Sequence, residues 1–157
     1  MAFSIFISYS TKNLERAQLI QTRLSSYGTD VFLAENSIAP GQDISPAITA
    51  RILTCDLFLL LLSLDSSQSK WVPIEIGMAL GANRKILPIA LQSDPELPAF
   101  LHDRKYLKFH PDSEAAMRWL WCHVCELYRA KLDKTFFTCL GALALGFAVY
   151  QAGQCEC

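Results

Sequence analysis

An excess of charge of either sign is lacking in this 157-residue chain: 14 Lys and Arg stand against 15 Asp and Glu, for a formal net charge of -1. Without a broad basic field to neutralise a phosphate backbone, nucleic acid is not an expected partner. The opening run, Met1-Ala2-Phe3-Ser4-Ile5-Phe6-Ile7, lacks both the basic lead and the length of a secretory leader, so export is not expected. Internal repeats and low-complexity linkers are missing too, which argues against a second folded domain. Cysteine is present six times, at 55, 122, 125, 139, 155 and 157, but in apolar stretches or near the C-terminal end of a full-sized domain. That is the pattern of reduced, cytosolic thiols and not of a disulfide framework. Cys122-His123-Val124-Cys125 has the spacing of a metal knuckle, yet no second ligand pair follows at a matching interval, and no metal site is expected.

What the chain does have is apolar surface, with 52% hydrophobic residues, enough to exclude disorder and to build one core. Apolar, β-rich runs alternate with helical patterns through the first 130 residues, the mark of βαβ units around a parallel sheet. Strands are expected over residues 3–8, 29–34, 56–63, 85–91 and 105–109. The third of these (DLFLLLLS) is an uninterrupted apolar run suited to the centre of the sheet. The helix after the first strand takes Leu14, Ala17, Leu19, Ile20 and Leu24 as its apolar side and stops at Tyr27-Gly28, where glycine suits a left-handed cap. Further helices are expected over 44–53, 71–82 and 115–132. Pro73 is compatible with the second of these because a first-turn residue needs no helical N–H partner. Residues 35–43, with Pro40-Gly41, 64–70 and 93–98 read as loops. The fold class is therefore α/β, a central parallel five-stranded sheet flanked by helices.

Three segments in order resemble the Toll/interleukin-1 receptor (TIR) family: 6–10 (FISYS), 31–41 (VFLAENSIAPG) and 69–77 (SKWVPIEIG). The resemblance spans roughly residues 3–130 and implies a flavodoxin-like TIR fold. Trp71 and Glu75, four apart, resemble the signature of the enzymatic, NAD-cleaving branch of bacterial type. That branch hydrolyses NAD+ at the nicotinamide–ribose bond, giving nicotinamide with ADP-ribose or a cyclic isomer, in immune or stress signalling. The resemblance implies Glu75 as the catalytic carboxylate and Ser8, Tyr9, Ser10, Thr11, Ala39 and Trp71 as substrate-binding residues. NAD+ enters as substrate, without a separate cofactor, and self-association through TIR–TIR contacts is implied as well. The alternative is a non-enzymatic signalling or scaffold module that acts through such assembly alone.

The residues themselves point the same way. Ligands of open α/β sheets bind beyond the carboxyl ends of the strands, where Ser8-Tyr9-Ser10, residues 34–41 and the loop before Trp71 all fall. A spacing of four puts Trp71 and Glu75 on one helical face, with an aromatic plane and a carboxylate turned toward one space. Glu75 is flanked by Ile74, Ile76, Met78 and Ala79, a setting in which an acid is conspicuous. Nicotinamide departs as a neutral ring, so the barrier lies in positive charge developing on the ribose, which a carboxylate stabilises. Ser10, Thr11 and Ala39 supply no charge for a pyrophosphate, and Glu35 and Asp43 make their loop acidic, leaving Lys70 or a partner subunit to compensate.

Residues 135–152 (TFFTCLGALALGFAVYQA) form 18 positions without a charge, about 27 Å as a helix against roughly 30 Å of hydrocarbon. The expected division is a TIR domain over 1–132 and a hydrophobic segment over 133–157. A membrane anchor is favoured over a buried helix or an oligomer interface, the last two consistent with Gly141, Ala142, Ala144 and Gly146. Arg129, Lys131 and Lys134 ahead of it would hold the domain on the cytoplasmic side.

Overall fold

The computed structural model describes residues 2–34, 46–93, 101, 105–110 and 112–140. Five strands form one sheet: β1 Ser4–Ser8, β2 Asp30–Leu33, β3 Leu57–Leu62, β4 Lys85–Ala90 and β5 Leu107–Lys108. Their order is β2-β1-β3-β4-β5 and every pairing is parallel. The expected five-stranded, flavodoxin-like sheet is thus present, each strand a little shorter than its apolar run.

Position in the sheet follows composition. β3 is buried at all six positions, as a central strand covered on both faces must be. Phe6 in β1 lies in register with Phe32 in β2 and Phe58 in β3. Its ring stacks on both, at centroid distances of 5.6 and 5.4 Å. Three rings in a row across three strands tie the register to the packing, because a slip by one residue would turn them to the other face. Outside the row, the Arg51 guanidinium sits 5.4 Å from the Phe32 ring centroid and bonds Asp30 Oδ2 at 2.6 Å.

The helices are α1 Leu14–Ser25, α2 Pro46–Thr54, α3 Leu64–Ser67, α4 Val72–Gly81 and α5 Ser113–Leu140. Gly28, just past α1, has φ +82°, the left-handed cap conformation expected of it. α3 replaces the start of the expected 64–70 loop. It is a single turn held by a reciprocal cap: Ser66 N–H donates to Ser63 Oγ at 3.1 Å, and Ser63 N–H donates to Ser66 Oγ at 2.8 Å. Local capping, not an apolar stripe, makes this helix.

The chain divides into two compact units, Met1–Met117 and Arg118–Cys157. The first holds the whole sheet. In the second, α5 continues without interruption through residue 132 to Leu140, and the Trp119 and His123 rings stack at 5.0 Å. Among the described residues no helix is long and apolar enough to cross a membrane. Most of the 135–152 segment lies outside the described residues, as do the loop containing Pro40-Gly41 and residues 94–98.

Candidate functional site

The strand order places β1 at the point where the sheet changes direction: β2 extends it on one side, β3 on the other. The connections leaving the carboxyl ends of β1 and β3 must turn opposite ways there, which opens a crevice between them. A cleft of about 280 Å³ occupies that place, lined by Ser10, Thr11 and Lys12 after β1 and by Asp65, Gln68, Ser69 and Trp71 after β3.

Two bonds span the crevice. Lys12 Nζ donates to Asp65 Oδ1 at 2.8 Å, and Asn13 Nδ2 donates to Ser63 Oγ at 2.6 Å. The ion pair is open to solvent, with the Lys12 side chain 70% exposed, so its contribution to stability is small. Its effect on the cleft is electrostatic: the ammonium group that faces the opening is neutralised by its neighbour.

Glu75 lies behind this wall. It occupies the buried stripe of α4 with Val72, Ile76 and Ala79, positions separated by three and four residues that normally carry apolar side chains. The residue is only 3% exposed. Ser8, completely buried at the carboxyl end of β1, donates its hydroxyl to Glu75 Oε2 at 2.5 Å. Desolvation raises the Glu75 carboxyl from 4.5 to about 7, with the Ser8 hydrogen bond pulling in the opposite direction. A buried acid that titrates at neutral pH is a costly arrangement and a common one at reaction sites.

The residues singled out in the sequence thus separate into two layers. Ser10, Thr11 and Trp71 line the cleft. Ser8, Tyr9 and Glu75 are buried and do not line it, Ser8 two residues before Ser10 and Glu75 one helical turn beyond Trp71, whose carbonyl accepts from Glu75 N–H at 3.0 Å. The aromatic ring and the carboxylate share a helix, but the carboxylate is turned into the core where the ring meets the opening. Of the apolar residues that flank Glu75 in the sequence, Ile74 is 45% exposed, while Ile76 and Ala79 are buried on the same stripe. Ala39, Glu35 and Asp43 lie outside the described residues. Lys70 is exposed and is not among the lining side chains; Lys12 supplies the cation at the opening.

Lys12, Asp65, Gln68 and Ser69 were missed by the sequence reading. Their signal was positional: all follow β1 or β3, the two strands that flank the change of direction in a 2-1-3-4-5 sheet. The cleft can hold a compact polar ligand beside Trp71. The carboxylate behind it can stabilise positive charge once a ligand atom reaches it. Among the described residues no cluster of His, Cys, Asp and Glu is arranged to hold a metal ion.

Comparison with known proteins agrees with this architecture. The TIR domain of the Toll-related receptor TRR-2 from Hydra magnipapillata is similar at TM-score 0.60 and 20% identity, over 80% of this chain and 95% of that one. The RPS4 and RRS1 TIR domain heterodimer is similar at TM-score 0.58 and 12% identity, over 81% and 98%. The CMP N-glycosidase BcmB of Clostridium botulinum is similar at TM-score 0.52 and 20% identity, over 74% and 97%. No curated protein matches the sequence. A family model described as TIR domain matches residues 5–120, most of the chain and all of the sheet except Ser4, and the chain belongs to the TIR domain family.

Proposed function

We propose that the protein cleaves NAD+ at the nicotinamide–ribose bond, releasing nicotinamide and leaving ADP-ribose or a cyclic isomer. The observation that carries this reading is Glu75: an acid on the buried stripe of α4, 3% exposed, beside the cleft where β1 and β3 part. A carboxylate in so dry a setting acts on a developing oxocarbenium ion with little screening, and one preorganised contact of this kind lowers the barrier by roughly 3–4 kcal/mol. Trp71 would hold a ring at the mouth, and Ser10 and Thr11 would bond the sugar or its phosphate. Lys12, exchanging Asp65 for a phosphate oxygen, would supply the positive charge that the rest of the lining lacks. The cleft is at the lower edge of small-molecule sites in size, fitting the reacting half of the dinucleotide with the remainder extending outward. BcmB, a CMP N-glycosidase of similar fold, gives the reading a precedent in glycosidic chemistry on this architecture.

Self-association and membrane attachment through residues 135–152 belong to the same proposal. The first is motivated by the RPS4 and RRS1 heterodimer and the second by 18 positions without a charge. Carbonate extraction of the full chain against one ending at residue 132 tests attachment, and a fully extractable full chain removes it. For catalysis, purified protein is incubated with NAD+ over a range of protein concentrations while nicotinamide is followed by chromatography. Release by the wild type that is lost in Glu75→Ala is expected. Equal inertness of both at every concentration would leave a signalling module that works through assembly alone.

A further inference from the structure

Ser8 combines three features that a strand residue with no task would not. It is the carboxyl-terminal residue of β1, completely buried, in a strand whose other interior positions are Ile5, Phe6 and Ile7. It shares a strand face with Phe6, two residues earlier, the ring that stacks between Phe32 and Phe58. And its hydroxyl is committed to Glu75 on a helix 67 residues away in sequence.

We propose that Ser8 is the positioning residue of the site: its hydroxyl fixes the Glu75 carboxylate and favours its acceptor, ionised form. The proposal rests on the reading of Glu75 as the catalytic carboxylate and revises the expectation that Ser8 itself contacts substrate. A completely buried side chain that is not part of the cleft lining touches a ligand less readily than Ser10, which lines it. A hydroxyl that donates to a carboxylate stabilises the charged form in a place where burial opposes it.

Charged groups on the surrounding elements are engaged elsewhere. α4 and β3 carry no ionisable side chain apart from Glu75 itself. Arg51 of α2 is bound to Asp30, and Lys12 is bound to Asp65 of α3. Arg84, between α4 and β4, donates to the carbonyls of Ala82 and Cys55. Lys85 at the start of β4 and Lys70 before α4 are exposed. With no cation bonded to it among the described residues, the carboxylate depends on Ser8.

The test is a 13C NMR titration of the Glu75 carboxyl in glutamate-labelled protein, its resonance assigned by its loss in Glu75→Gln. It is run on wild type, Ser8→Ala, Ser8→Thr and Ser8→Cys, with kcat/KM for NAD+ measured over the same pH range. Loss of a hydrogen bond to a charged acceptor moves the midpoint up by about one to two pH units in Ser8→Ala. The acidic limb of kcat/KM moves with it, so the rate at pH 7 falls about 5- to 50-fold and recovers as the pH rises. Thr restores the midpoint, and Cys, a weak donor that fits the same space, lies between. A midpoint unchanged in Ser8→Ala overturns the proposal, as does a lowered rate that no pH recovers in a folded variant with a shifted midpoint. If the midpoint moves but wild type releases no nicotinamide, the coupling of Ser8 to Glu75 stands and the catalytic reading of the site falls.

Discussion

Replacing Glu75 with glutamine separates what the residue costs the fold from what it does in the cleft. The carboxyl titrates at about 7 in the folded protein against 4.5 ordinarily, so between those values the unfolded chain binds fewer protons than the folded one. Stability therefore falls as pH rises through this window, at up to about 1.4 kcal/mol per pH unit. Below pH 4.5 both states are protonated and the penalty vanishes. Above pH 7 it is complete, at roughly 3 kcal/mol, a substantial share of the 5–15 kcal/mol typical of a folded domain. A glutamine cannot ionise and escapes this penalty. Its amide N–H groups introduce a constant cost of about 1–3 kcal/mol where they find no acceptor, so the absolute difference at one pH is uninformative. The pH dependence is the diagnostic. Urea unfolding of wild type and Glu75→Gln from pH 4 to pH 8 should show the variant gaining about 3 kcal/mol relative to wild type as pH rises. Every other titrating group cancels in that difference. A difference that stays flat within about 0.5 kcal/mol would refute both the burial argument and the shifted titration that follows from it.

The same titration predicts that kcat/KM for NAD+ rises through an acidic limb with its midpoint near 7, read from initial rates of nicotinamide release; a limb near 4.5 would mean that the carboxylate is solvated in the working enzyme. Trp71→Ala should lower kcat/KM about tenfold while Trp71→Phe keeps most of it, because what is lost is a flat surface at the mouth of the cleft. Lys12→Ala should raise KM several-fold at low ionic strength, with kcat retained and the effect fading in salt. Urea unfolding of the same variant should change by less than about 1 kcal/mol, since the Lys12–Asp65 pair is exposed and screened.

Most of the fold was legible because its strands are written in uninterrupted apolar runs and its helices in spaced ones. The 56–63 run could only be a strand covered on both faces, and it became β3, buried at every position. Gly28 marked the end of α1 because a left-handed residue was needed there and glycine adopts it without strain. α3 was not legible in the same way. Its four residues, Leu64-Asp65-Ser66-Ser67, are too few to show a period, and the reciprocal cap that holds them uses Ser66 in the place where a Glu or Gln is the usual signal. The helical turn matters to the site because it carries Asp65 to the ammonium of Lys12.

The site was legible in its parts and not in its depth. Counting forward from Trp71 gives the correct helix and a shared face, but a shared face does not fix how far each side chain stands from solvent. Depth is set by what packs against α4. Val72, Glu75, Ile76 and Ala79 follow the spacing of a core stripe, and that spacing, read strictly, places the acid inside; the flanking residues Ile74 and Met78 do not bear on it. Once inside, the carboxylate needs a donor, and the sequence contains no local one, because the serine that satisfies it arrives from β1 through the sheet order. Burial by α4 raises the cost of the charge, β1 delivers the hydroxyl that lowers it, and the change of direction beside β1 opens the cleft within reach. The three depend on one topological fact, the placement of β1 between β2 and β3. A substitution that left α4 intact but displaced the end of β1 would therefore lose the donor and the cleft wall together, although neither lies on the helix that carries Glu75.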